Sequence, residues 1–137
     1  MKKAFTSLLA VLFASVIGIH PALAAVYEGP FVAVGGSQVP GSEGKVNEDG
    51  SYKVELLTGI PNTKFEICRI DFTNGPVWLA DVTTTEDGEL KKIGLPGAIP
   101  PGNYEQFSFL VSQDSALDDC SGTLMWASGF TLLAPTP

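Results

Sequence analysis

Polar and apolar residues alternate most cleanly over Ser51–Leu57, where Tyr52, Val54 and Leu56 share one parity and Lys53 and Glu55 the other. A period of two predicts a half-buried β-strand. Lys64–Phe72 is apolar on both parities, with Phe65 and Ile67 on one and Cys68 and Ile70 on the other. That pattern predicts a strand covered on both faces. Phe31–Val34, Val77–Thr84, Glu89–Leu95, Tyr104–Val111 and Thr123–Leu133 complete a set of seven predicted strands. Phe107, Phe109 and Val111 form an inner parity, and Leu124, Trp126, Phe130 and Leu132 share another. Val39–Lys45 contains Pro40, Gly41 and Gly44 and reads as a loop. So does Gln113–Gly122, which is polar and acidic and holds Cys120. No segment sustains a helical period. Short apolar runs separated by turn chemistry predict an all-β sandwich.

A strand–turn–strand unit is written twice. Glu48-Asp49-Gly50 opens one copy and Glu86-Asp87-Gly88 the other. Each runs to a Pro-containing turn, Gly59 to Thr63 or Pro100 to Asn103, and then enters an aromatic-led strand. The turns Pro61-Asn62-Thr63, Thr84 to Gly88 and Pro101 to Tyr104 resemble those of secreted immunoglobulin- or fibronectin-type domains. Prealbumin-like modules of bacterial surface proteins carry similar text. The resemblance implies a single immunoglobulin-like β-sandwich of about seven strands; turn motifs speak to fold and not to activity. The antibody arrangement of Cys, Trp and Cys departs here, because Trp78 follows Cys68 and Cys120 sits in a loop.

The first residues read as an export signal. Lys2 and Lys3 precede the uncharged run Ala4–Ile19, which His20 and Pro21 break before Ala22-Leu23-Ala24. Cleavage after Ala24 is expected, leaving Ala25–Pro137 as one soluble domain in the periplasm or outside the cell. The apolar run is too short and too poorly flanked for a membrane span. The chain carries a net charge of −7 at pH 7, and losing Lys2 and Lys3 makes it more acidic still. Nucleic acid and anionic lipid need Lys and Arg to neutralise phosphate, so a chain this acidic is a poor candidate for either, and neither nucleic acid nor membrane insertion is expected. Cys68 and Cys120 are the 2 cysteines. An even pair in an exported chain predicts a disulfide.

Few catalytic constellations survive. The 1 histidine is His20, in the leader. Its loss removes Ser-His-Asp and Cys-His catalysis and the usual zinc and copper sites. No P-loop, nucleophile elbow or dinucleotide fingerprint is present. A carboxylate pair could hydrolyse a glycoside, though solvated surface is the default for most of the 15 acidic residues. Asp114, Asp118 and Asp119 form a candidate calcium site in one loop. Trp78 and Tyr104 are candidates for ligand binding, with a carbohydrate as the ligand, whereas Trp126 reads as core. Both terminal strands are candidate pairing edges. The expectation is an exported, non-enzymatic interaction or structural module of the cell envelope. It binds a protein partner or assembles through a sheet edge, with no cofactor unless calcium. A carbohydrate-binding module is the alternative, and a small carboxylate-based hydrolase the minor one.

Overall fold

The computed structural model describes residues 24–71, 75–100, 106–128 and 131–132. The period-two stretch forms the strand Tyr52–Leu57, with Tyr52, Val54 and Leu56 buried as the alternation requires. In chain order the strands are β1 (Ala25–Gly29), β2 (Phe31–Ala33), β3 (Glu43–Asn47), β4 (Tyr52–Leu57), β5 (Lys64–Asp71) and β6 (Gly75–Thr83). They continue with β7 (Glu89–Gly94), β8 (Gln106–Phe107), β9 (Phe109–Gln113), β10 (Leu124–Ser128) and β11 (Thr131–Leu132). Among the described residues, nine strands build two antiparallel sheets, ordered β1-β3-β4-β7 and β2-β10-β9-β5-β6. β8 and β11 add a short two-stranded ladder.

The seven expected strands are thus too few, for two reasons. Pro30 divides the N-terminal strand, because proline has no N–H to give the ladder. The part before it joins the four-stranded sheet and the part after it pairs with β10 in the other. The second reason is Gly44, read as turn chemistry but lying buried in β3. A Cβ there would come within 2.7 Å of the Phe109 ring and 3.2 Å of the Phe31 ring. The residue is glycine because two aromatic rings rest on its backbone, and not because the chain turns.

The core lies between the sheets, and Phe109 is its hub. Ring centroids of Tyr27, Phe31, Tyr52 and Phe107 stand 6.3, 6.4, 5.7 and 4.9 Å from it. Such tilted and edge-on pairs each add about 0.5–1.5 kcal/mol beyond area burial. Trp126 packs edge-on against Phe65 at 5.4 Å and is buried, whereas Leu124, of the same parity, is exposed. Buried Ser108 interrupts the strand expected over Tyr104–Val111. Its hydroxyl donates to the Ser128 carbonyl at 2.6 Å, and the Phe109 N–H donates to the Ser128 hydroxyl at 2.7 Å. The repeated Glu-Asp-Gly turns both use a left-handed glycine, with φ 84° at Gly50 and 81° at Gly88.

The two long sides of the sandwich differ. On one, β1 and β2 form a nearly continuous segment that passes from sheet to sheet. On the other, β6 and β7 are both edge strands and do not pair with each other. A groove of about 720 Å³ lies between them, lined by Trp78 to Asp81 from β6, Lys92 to Gly94 from β7, the following Leu95 to Ala98, and also Tyr52 and Asp118.

Candidate functional site

The site begins with a register irregularity between β5 and β6. Ile67 pairs with Ala80 and Cys68 with Trp78, so Leu79 has no partner of its own in the register. This β-bulge reverses the side-chain alternation beyond it. Trp78 and Asp81 are three residues apart and would face opposite ways on a regular strand. Across the bulge they face the same way, and the Trp78 indole N–H donates to Asp81 Oδ1 at 3.0 Å. Trp78 is 38 % exposed while Ala80 is 7 % exposed, so the shared parity of Trp78, Ala80 and Val82 in the sequence does not hold.

Glu66 stands directly opposite Asp81 in the ladder. Two carboxylates facing each other across strands repel, and Glu66 is fully buried. Hydrogen bonds from the β9–β10 loop support it. The Ser115 N–H and hydroxyl donate to Oε2 at 2.9 and 2.7 Å, and the Cys120 N–H donates to Oε1 at 2.9 Å. A carboxylate has about four lone-pair positions, so three donors leave one unused. The predicted disulfide joins Cys68 of β5 to Cys120 of this loop, with Cα atoms 6.4 Å apart.

The same loop carries Asp118 to Asp81. Donor oxygens of Glu66, Asp81 and Asp118 all lie within 4.8 Å of one another. The indole hydrogen bond, then Asp118 and Lys64, hold the Asp81 carboxyl below its ordinary value. The hydrogen bond to Asp81 comes first in raising the exposed Asp118 carboxyl, followed by some loss of hydration and the charges of Asp81 and Glu66. The two shifts are opposite in sign, so of the pair Asp118 is the one that holds a proton to higher pH. Lys64 Nζ lies 3.4 Å from Asp81 and 3.8 Å from Asp114.

The expected calcium set is not brought together. Asp114 faces Lys64, and Asp119 accepts the Ser121 N–H at 3.0 Å. Only Asp118 of the three joins the carboxylate group just described. The expectation of no cofactor unless calcium is corrected by that group, which draws Glu66 and Asp81 from two strands. A second grouping, Glu66 with Cys68 and Cys120, offers no thiolate, since both sulfurs are in the disulfide. Tyr104 lies outside the described residues, as do Phe130 and most of the C-terminal edge. Sequence reasoning missed Glu66 and Asp81. The available signal was that Glu66 and Cys68 share a parity, so a disulfide to Cys120 brings the acidic loop over Glu66.

No protein-family model matches the chain, and no curated protein matches it. The fold is similar to the crystal structure of a mutant of a SOD-like protein from Bacillus subtilis. That likeness has a TM-score of 0.59 at 11% identity and covers 81% of this chain and 100% of that one. The class is an all-β, disulfide-linked sandwich of that fold. This corrects the immunoglobulin- or fibronectin-type resemblance, which rested on turns that many antiparallel sandwiches share. The carboxylate group on this fold also overturns the expectation of a non-enzymatic interaction or assembly module. Among the described residues, no helix is long and apolar enough to cross a membrane.

Proposed function

We propose that this protein is a small carboxylate-site enzyme that uses a hard divalent cation of the magnesium or manganese kind. Glu66, Asp81 and Asp118 would hold the cation, and the groove beside Trp78 would hold a polar ligand. The observation that carries this reading is the face-to-face pairing of Glu66 with Asp81, with Asp118 folded onto both. Opposed carboxylates weaken a sheet, and a cation between them would offset that repulsion. Oxygen-only donors favour magnesium- or manganese-class ions. When bound, such an ion polarises a carbonyl or phosphoryl oxygen or lowers the pKa of a water. The protein's own part is to orient the donors through the Leu79 bulge and the loop anchors, and to hold a ligand over the Trp78 ring.

Copper–zinc chemistry of the superoxide dismutase kind is not proposed. It calls for imidazole ligands, and the 1 histidine of the chain is His20. Export is part of the proposal: the Met1–Ala24 pattern supports it, and so does a disulfide of the kind that persists in oxidising compartments.

The test is Mn²⁺ binding to the full exported chain, followed by electron paramagnetic resonance. One ion per chain is expected, with affinity reduced about tenfold or more in Asp81→Asn and Asp118→Asn. Absence of saturable binding at millimolar Mn²⁺ would sink the reading.

A second reading concerns the ligand. Trp78 is partly exposed and its ring is fixed by the Asp81 hydrogen bond, which favours a carbohydrate stacked on the indole. Titration with cello-, xylo- and chito-hexaose should change the Trp78 fluorescence. Buried Trp126 should not respond, so a signal persisting in Trp78→Phe would count against this reading.

A further inference from the structure

Asp118 meets Asp81 only because the β9–β10 loop is folded back over β5. Two residues beyond Asp118, Cys120 is bonded to Cys68. Two residues before Cys68, on the same face of β5, stands Glu66. One covalent link therefore sits beside both halves of the carboxylate group. The loop backbone does not favour its own shape. Ala116, Asp118 and Cys120 have φ values of 66°, 54° and 62°, a region that residues with a Cβ seldom adopt. Such conformations persist where the surroundings over-determine them. Here the loop's own bonds from the Ala116, Leu117 and Ser121 amides are short-range, and what ties it to β5 is the disulfide and the hydrogen bonds to Glu66.

We infer that the Cys68–Cys120 disulfide is a redox gate on the carboxylate site. Oxidised, it holds Asp118 against Asp81 and Glu66. Reduced, it frees the loop, and the site loses its third carboxylate. The consequence for a cation rests on the reading proposed above; the release of the loop does not. The reductant is a dithiol. Its thiolate attacks Sγ of Cys120, the more accessible half at 8 % exposure against 0 % for Cys68. The S–S bond breaks, and Cys68 leaves as a thiolate and takes a proton. The second thiol of the reductant loses its proton, closes on the mixed disulfide and frees Cys120, which is protonated in turn. The protein gains two electrons and two protons, and the dithiol becomes a cyclic disulfide.

The experiment compares the full exported chain before and after dithiothreitol, by amide hydrogen exchange and by Mn²⁺ binding. On reduction, exchange at the Ser115 and Cys120 amides should rise about a hundredfold, while Ile67 and Val111 stay protected. Mn²⁺ affinity should fall about tenfold. The double variant Cys68→Ala, Cys120→Ala should behave like the reduced protein without reductant. Unchanged protection of Ser115 and Cys120 in the reduced chain would overturn the gate. So would loss of protection at Ile67 and Val111 in sucrose, which favours the folded state, because the bond would then hold the whole domain. If the oxidised chain binds no Mn²⁺, the cation reading fails, and amide exchange alone still decides the gate.

Discussion

Trp78 and Asp81 lie three residues apart on one strand and yet face the same way, joined by a 3.0 Å hydrogen bond from indole to carboxylate. The irregular pairing around Leu79 is the cause. Bulges recur beside functional sites because they re-aim a side chain without breaking the sheet.

Trp78→Phe keeps the ring and removes the donor. The Asp81 carboxyl should then rise toward its ordinary value of 3.8, read by carbon NMR during a pH titration. A depressed carboxyl contributes stability above its unfolded pKa and loses it as pH falls through the folded one. The variant's loss of stability should therefore be fully present above about pH 4 and vanish as the pH falls through the depressed Asp81 value.

Asp118 has the opposite sign. Its raised carboxyl contributes stability below the unfolded value and loses it as pH rises through the folded value. Asp81→Asn should bring Asp118 back down, since the first cause of the shift is the bond to Asp81. Saturating Mn²⁺ should lower it too, because a bound cation favours the ionised carboxylate. Cation affinity should correspondingly weaken as pH drops through the raised Asp118 value. An Asp118 titration indifferent to both changes would contradict the geometry.

Glu66→Ala removes the acceptor of two backbone N–H groups and one hydroxyl. Each donor left without a partner costs about 1–3 kcal/mol, so a loss on the order of 3 kcal/mol is expected in urea denaturation with the disulfide intact. Glu66→Gln should lose less, since one carbonyl oxygen still accepts.

At Gly94, a Cβ would run into the ring of Tyr52, which is 3 % exposed. Gly94→Ala should destabilise by about 1–3 kcal/mol, as overpacking does, visible as a lower Tm. Tyr52 and Gly94 also line the groove, so ligand binding should change in the same variant.

These positions also mark where the sequence was readable. Tyr52, Val54 and Leu56 announced their strand because a half-buried edge-to-core alternation is local information. Phe107, Phe109 and Val111 are all buried, although Ser108 divides the strand they were expected to share, and a leader-like N-terminus with two cysteines pointed to the disulfide. Gly44 misled because the reason for a glycine was a ring contributed by Phe109, far along the chain. Trp78 misled because parity assumes a regular ladder, and the bulge belongs to the pairing of two strands. The carboxylate group was hidden for a related reason. Glu66, Asp81 and Asp118 come from three separate segments, and no spacing rule links them. The loop aspartates drew attention as a run, whereas the fold selects just one of them.

The N-terminal strand that spans both sheets gives the molecule a spine. Like a bound book, the sandwich is sewn along the β1–β2 side and has leaves that part only at β6 and β7. Amide exchange is thus expected to be fastest along the margin where Trp78, Asp81 and Asp118 lie. A ligand bridging β6 and β7 would fasten that margin shut, and the stiffness of the whole molecule would then report on whether its groove is filled.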